Sequence, residues 1–408
     1  MTQNVVLRDA KLVIEDVIEA WTDLAEGQSV IHEMHCFPTG DRRSPAGKRT
    51  PEIRFEPMSP ELLSDVRDKL EQWADNLARG ARARNTVDAL RRDLVLFTSW
   101  CRNMARLPLP ARQDTLIAFL QAHAESRKVS TLRRYLASIA TLHSAAGLSN
   151  PTIGELVKSE LDLIARNQAR LDKDHRANGE SVRFSKRQAA PLREEDLLNA
   201  DGLFGDSLRD VRDRAIIWLA FDTLARSSEI AAMQVSDLRK MGDGQMTVTI
   251  HHSKSDQYGA GAKRYISTFT GQRLDAWLRA AHITEGYIFR GIDTRIAEGG
   301  RGKKNKKKIE HIRDSASRQV IYRAIKNCAA RLYGAGLIQF DLAAYSAHST
   351  RVGAAQDMLA EGVSMLAVQQ AGGWKTDVMP QQYAQEIDAL HGGAAQLARK
   401  RGRAPIKE

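Results

Sequence analysis

Cysteine is scarce in this chain of 408 residues: only Cys36, Cys101 and Cys328 occur, far apart and odd in number. Such a set offers no disulfide framework and points to a reducing cytoplasm. Long apolar runs are missing too. None approaches the roughly 20 residues that a membrane-spanning helix needs, so no membrane partner is expected. The opening MTQNVVLRDAKL has no apolar h-region, and a secretory leader is not expected. No glycine-rich phosphate loop of the nucleotide-binding kind occurs, and no cofactor is expected. His32, His35 and Cys36 in HEMHC have ligand chemistry but no fourth ligand nearby, so no metal is expected there. No internal repeat is evident.

What the chain does have is positive charge. The formal net charge is +11, and the excess is not confined to one tail. It favours a polyanionic partner, of which nucleic acid is the commonest. The hydrophobic share, 42%, fits a globular protein with real cores, and the length allows two or three domains.

Residues 1–56 read as an extension. Val13, Val17, Trp21 and Leu24 share one face of a short amphipathic helix, and GDRRSPAGKRTP after it is expected to be loosely ordered. A helical domain over 57–176 follows. SPEL at Ser59 is a helix start, with a capping Ser, Pro at the first helical position and then an acid. Leu62, Val66, Leu70, Trp73 and Leu77 continue it at helical spacing. A second helix begins near Asn85, with Leu90, Leu94, Phe97 and Cys101 inward, and a third covers Gln113 to Glu125. A fourth, in VSTLRRYLASIATLHSAAG, buries Leu132, Tyr135, Leu136, Ile139 and Leu142. A fifth follows SNPTIGELV. Short loops between four or five helices imply an all-α bundle. Arg133 and Arg134 lie on the polar face of the fourth helix, as a solvated pair or as phosphate contacts.

The stretch 177–190 is polar and reads as a linker. Its Arg183, Lys186 and Arg187 make it basic enough to lie along DNA. Residues 191–408 mix helix and strand. SLRDVRDRAIIWLAFDTLA is a strongly apolar helix. GQMTVTIHHSK alternates as a half-buried strand does, and KRYIST returns as its antiparallel partner. GGRGKKNKKK, Gly299 to Lys308, repels itself and is expected to be a disordered loop or, through Lys303 and Lys304, a loose backbone contact.

Polar residues at particular spacings carry the chemistry. Arg226 and Glu229 in LARSSEIAAMQVSDL are three apart and share a helix face; alone they read as a surface ion pair. Lys254 ends the strand TVTIHHSK; alone it is a solvated hairpin lysine. His348 and Arg351 in AHSTRVGAAQDMLAEGVS sit three apart near a helix start, where free N–H groups suit an anion. Val352, Met358, Leu359 and Val363 are expected to carry that segment's buried side. Trp374 follows, and Tyr383 comes nine residues later. Pro380 places a helix start at about that residue, with Tyr383 in its first turn.

Taken in order, Arg–x–x–Glu, a hairpin Lys, His–x–x–Arg, Trp and Tyr resemble the tyrosine recombinase (phage integrase) family. TLARSSEIAAMQVSDL is similar to its first arginine box; HSTRVGAAQDMLAEGVS and QAGGWKTDVMPQQY are similar to its second, and RLYGAG also matches in style. The likeness covers most of 57–400. Residues 1–56 and the lysine run 299–308 fall outside it.

The resemblance implies a mainly α fold with a small antiparallel β-sheet. A helical core-binding domain and an α+β catalytic domain would close as a C-shaped clamp on double-stranded DNA. It implies cleavage by Tyr383 through a 3′-phosphotyrosyl link, with Arg226 and Arg351 on the non-bridging oxygens and Lys254 as general acid. His348 would serve as proton acceptor or phosphate donor, Trp374 as a phosphate donor and packing residue, and Glu229 as an orienting group. The chemistry is consistent with this: a phenol with pKa near about 10 is a poor nucleophile unless its proton is taken, and two guanidiniums can spread the charge of a pentacoordinate phosphorus without metal. A covalent link stores the bond, so no ATP is needed. The resemblance further implies four protomers on two inverted-repeat sites, a Holliday junction, and a C-terminal helix with Ile387, Leu390 and Leu397 that docks into the next subunit. The setting would be a bacterial nucleoid, phage or plasmid. A type IB topoisomerase and a non-catalytic DNA-binding regulator are the rival readings.

Overall fold

The computed structural model describes residues 60–180, 182–185, 188–251, 261–296, 308–338, 341–383, 397–398 and 400–402. Expectations for residues 1–56, Ser59, Lys186, Arg187, Lys254, Lys303, Lys304, Ile387 and Leu390 fall outside the described residues. The chain divides into two compact units, Met1–Lys186 and Arg187–Glu408, and the division lies within the basic stretch 177–190.

The described residues of the first unit form five α-helices: α1 (Pro60–Ala78), α2 (Arg84–Asn103), α3 (Gln113–Ala124), α4 (Val129–Ala145) and α5 (Glu155–Ala177). Each turns an apolar stripe inward. Leu90, Leu94, Phe97 and Cys101 of α2 and Leu132, Tyr135, Leu136, Ile139 and Leu142 of α4 are all buried. Phe119 of α3 is the hub of an aromatic group: Phe97 meets it edge-on at 5.1 Å and Trp100 at 5.3 Å. The polar groups inside this unit are paired. Asp93 accepts from Arg134 and Ser138. His143, fully buried, accepts the Ala111 N–H on Nε2 at 2.8 Å and contacts the Ile139 carbonyl through Nδ1 at 2.9 Å. Asp172, near the end of α5, gathers the backbone N–H groups of Arg183, Phe184 and Ser185 and so fixes the chain beyond the helix.

The second unit opens with α6 (Glu194–Asp201) and α7 (Leu208–Thr223). From Ala215 to Phe221 every residue of α7 is buried, as expected of a helix apolar on all sides. Next come α8 (Ser227–Ala232), β1 (Leu238–Lys240), β2 (Met246–Ile250) and β3 (Ala262–Ile266), which form one antiparallel sheet in the order β1-β2-β3. Met246 pairs with Ile266 and Ile250 with Ala262. The strand alternation read from the sequence is present: Met246, Val248 and Ile250 are buried and the residues between them are not. Then follow α9 (Thr268–Ala280), β4 (Ile292–Ile296), β5 (Lys308–Ile312), α10 (Arg318–Gly334), α11 (Ser349–Ala360) and α12 (Met365–Gly372). The fold is thus mainly α with small antiparallel sheets.

Three details depart from the sequence reading. Strand β1 is too short for a period to show. Strands β4 and β5 pair with each other across the lysine run, whose charge masked the flanking Ile292, Ile296, Ile309 and Ile312; Lys308, taken as part of the loop, opens β5. Val363 is exposed rather than buried, because α11 has already ended and Gly362, at φ +79°, turns the chain outward. Among the described cysteines, Cys101 and Cys328 are free and buried, and burial pushes both thiols up to about 12.

Candidate active site

Arg226 occupies the cap position of α8. Glu229, three residues on, reaches back: Oε2 accepts the Arg226 N–H at 2.8 Å and Oε1 accepts Nη1 at 2.6 Å. The carboxylate therefore ends the turn and holds the guanidinium in one act. Glu229 is buried, whereas the Arg226 side chain keeps 24% of its exposure. The surface ion pair that the spacing allows is in fact half inside.

Arg351 lies in the first turn of α11 and is 2% exposed. One nitrogen, Nη1, donates to the Leu224 carbonyl, and Nη2 donates to the Gly372 carbonyl at 2.7 Å. Both acceptors exist because helices end there. Leu224 ends α7 in the left-handed region, φ 48°, ψ 25°, which turns its carbonyl toward Arg351. Gly372 ends α12, and Gly373 beyond it has φ 63°, which glycine adopts freely. The Arg351 guanidinium lies 4.1 Å from the Trp374 ring centroid. Trp374 in turn meets Tyr383 edge-on, with centroids 5.9 Å apart and planes at 69°. A Cβ at Gly372 would fall 1.9 Å from the indole, so only glycine lets Trp374 fold back this far.

Tyr383 is buried, at 7% exposure. It sits in a helical segment over 378–383, so the helix starts two residues earlier than Pro380 and Tyr383 belongs to its second turn. The reason is Asp377: its carbonyl accepts the Gln381 N–H and its carboxylate accepts Gln381 Nε2, which leaves Pro380 early enough in the helix that its missing donor costs nothing. Buried Gln356 of α11 donates Nε2 to the Tyr383 carbonyl at 3.0 Å and ties the two helices together.

His348 stands at the residue before α11, without a side-chain capping bond, and is exposed. Desolvation lowers its pKa first, and the charges of Arg351 and Arg226 lower it further. Arg351 is itself pushed down to about 10, by burial first and then by Arg226, while Tyr383 and Glu229 pull it up and Arg264 lowers it. It stays protonated at neutral pH. Arg264 of β3 was not singled out in the sequence. Its Nη1 donates to the Gln370 carbonyl at 3.1 Å, and a Cβ at Gly373 would lie 2.1 Å from its Nη2. Burial lowers its pKa, opposed by Glu229 and helped by Arg226. The signal available in KRYIST was an arginine on the inward face of a strand. Gln356 and the glycines 372 and 373 gave no comparable signal, since their roles depend on distant partners.

The structure thus brings Arg226, Glu229, His348, Arg351, Trp374 and Tyr383 into one cluster, held by α8, α11, α12 and the segment that follows. Three guanidiniums against one carboxylate leave an excess of positive charge, and an anion entering here relieves their mutual repulsion. The polar residues of the first unit are less uniform. Arg133 is exposed, but Arg134 has Nη1 2.7 Å from the Asp93 carboxylate and its guanidinium 5.3 Å from the Tyr135 ring centroid. Arg183 is exposed. His251 is exposed, with Nε2 2.9 Å from Asp237.

Known proteins bear on this cluster. A family model, that of the phage integrase family, matches residues 194–389 and so spans the whole of it. The chain is 26% identical to the Cre recombinase of Escherichia phage P1 over 309 residues, 74% of this chain and 84% of that one. It is 29% identical to an integrase/recombinase XerD homologue of Selenomonas ruminantium over 56% of this chain and 65% of the relative. Among solved structures, the Tn1549 transposon integrase with transposon right end DNA is similar at TM-score 0.52 and 12% identity, covering 83% of this chain and 99% of that one. The XerH site-specific recombinase bound to a palindromic substrate is similar at TM-score 0.51 and 14% identity, covering 82% and 89%. At such identities the structural likeness speaks for the fold. Residues 194–389, which enclose the whole residue cluster, match the phage integrase family, and the sequence likeness to the two relatives supports a tyrosine recombinase.

Proposed function

We propose that this protein is a site-specific DNA recombinase that cuts and rejoins DNA through a 3′-phosphotyrosyl intermediate. The observation that carries the reading is the stack of Tyr383, Trp374 and buried Arg351, with Arg226 and His348 coupled electrostatically to it. A scissile phosphate would present its non-bridging oxygens to Arg226 and Arg351. The Tyr383 phenol oxygen attacks phosphorus, and the bond to the 5′-oxygen breaks. The phenol proton passes to His348, whose lowered pKa keeps the imidazole neutral at pH 7 and able to accept it. The departing 5′-oxygen takes a proton from Lys254. Rejoining is the reverse, with a 5′-hydroxyl as nucleophile. Glu229 holds Arg226 and leaves the reacting atoms alone, while Trp374 packs against Arg351 and would donate its indole N–H to the phosphate.

In this reading the helical unit with Arg133, Arg134 and Arg183 is the core-binding domain. Residues 177–190, with Lys186 and Arg187, form the linker, and residues from 191 form the catalytic domain. Lys303 and Lys304 would meet the DNA backbone. Four copies would act on two inverted-repeat sites through a Holliday junction. Phosphate contacts would set affinity, and helices in the major groove together with bending of the site would set sequence choice.

The test is a nicked duplex carrying the site that the wild-type protein selects from a random-sequence library. Wild type should accumulate a covalent protein–DNA complex, and Tyr383→Phe should bind the duplex and accumulate none. Covalent complex formed by the Phe variant would overturn the assignment of the nucleophile. A two-site exchange assay separates recombination from mere relaxation of supercoils.

A further inference from the structure

The C-terminal end of α12 gathers more cationic partners than an eight-residue helix needs. Its Gly372 carbonyl accepts Arg351 Nη2 at 2.7 Å, and its Gln370 carbonyl accepts Arg264 Nη1 at 3.1 Å. Backbone donors already serve this end: the Gly373 N–H reaches Gln370 and the Trp374 N–H reaches Gln369 at 3.0 Å. Two guanidiniums, from β3 and α11, therefore grip the same turn, where the helix dipole presents its negative end. Arg264 also presses on that turn, since the space a Cβ at Gly373 would fill is taken by its Nη2, 2.1 Å away.

We infer that Arg264 is a positioning residue for the phosphate-binding arginine Arg351. By pinning the turn Gln370–Gly373 to β3, it fixes the Gly372 carbonyl and the Trp374 ring, the two surfaces that hold the Arg351 guanidinium. Charge fits the same role. Arg264 is half-buried and sensed by Arg226, Glu229 and Arg351, so its departure changes the field at the cluster as well as the geometry. Arg264 Nη1 donates to the Gln370 carbonyl of the turn and to the Lys263 carbonyl, and the first of these bonds ties β3 to the turn.

This inference rests on the reading of Arg351 as a ligand of the scissile phosphate, and the experiment separates the two. Single-turnover cleavage is measured on the selected nicked duplex and on the same duplex with a methylphosphonate at the scissile position. There a methyl group replaces one non-bridging oxygen and the phosphate charge is gone. Misplacing a catalytic group by about 1 Å costs up to about 100-fold, so Arg264→Gln should cleave the ordinary phosphodiester about 10- to 100-fold more slowly, with binding unchanged. On the uncharged substrate its deficit relative to wild type should shrink, as that of Arg351→Ala should. Gly373→Ala, which pushes on the guanidinium from the opposite side, should repeat the pattern and serves if Arg264→Gln does not fold. Wild-type cleavage by Arg264→Gln, or an equal loss on both substrates, would overturn the role of Arg264. If Arg351→Ala itself shows no relief on the uncharged substrate, the phosphate reading of Arg351 fails, and the inference with it.

Discussion

Arg351 shows how one residue can be structural and chemical at once. A guanidinium at 2% exposure is tolerable only because two carbonyls and an indole face replace its water. The same fixation removes the reorganisation that a mobile arginine would need when charge builds on phosphorus. Replacing it by Ala removes the donor and leaves the Leu224 and Gly372 carbonyls without it. Arg351→Ala should slow covalent-complex formation by about 100- to 1,000-fold, the usual scale for losing one preorganised donor. Quenched-flow cleavage of the nicked duplex measures it; a loss under about 10-fold would deny the residue that role. Sequence spacing placed His348 and Arg351 near one another but could not say that one stays exposed and the other turns inward.

At the scale of elements, the helical unit stands on amphipathic helices joined by short loops, and almost all of this was readable as period. The exception with consequences is His143 in α4, which is fully buried and takes the Ala111 N–H on Nε2. That bond requires the proton to sit on Nδ1, toward the Ile139 carbonyl. Burial holds the folded pKa below the ordinary 6.5, opposed by the Ile139 bond. The unfolded chain therefore binds the proton first. The stability that His143 contributes is complete above pH 6.5 and is lost as pH falls from there through the folded value. Protonation also strands the Ala111 donor, at about 1–3 kcal/mol. Thermal melts at pH 7.5 and pH 5.5, ~1 unit either side of the ordinary value, should show a lower transition in acid for wild type. His143→Gln should show a smaller difference between the two pH values, and an unchanged difference would remove His143 as the cause.

For the molecule as a whole, the governing quantity is the net charge of +11 on 408 residues. In a DNA-binding recombinase this excess makes affinity depend on released counterions. The logarithm of the binding constant should fall linearly with the logarithm of salt, with a slope of about −0.9 for each phosphate neutralised. Fluorescence anisotropy between about 50 and 200 mM salt reads that slope. Arg133→Ala should make it shallower by about one, because Arg133 is exposed on the helical unit. A slope near zero for wild type would mean that the charge excess serves something other than DNA.

Local rules carried far in this chain. Period specifies α1 to α5, the apolar run specifies α7, and the alternation in MTVTI specifies β2, because each of these depends on residues within a few positions of one another. The candidate site residues were legible differently: each read alone as a surface group, and only the order Arg226, Glu229, Lys254, His348, Arg351, Trp374, Tyr383 resembles the tyrosine recombinase family. What spacing could not convey is which groups come to rest on which. The left-handed Leu224 that faces Arg351 lies 127 positions away, Arg264 meets Gln370 across 106, and Gln356 reaches Tyr383 across 27. Such contacts form only when separate helices and a strand pack together, so the burial of Arg351 and the support from Arg264 are properties of the packed unit and of no shorter stretch of it.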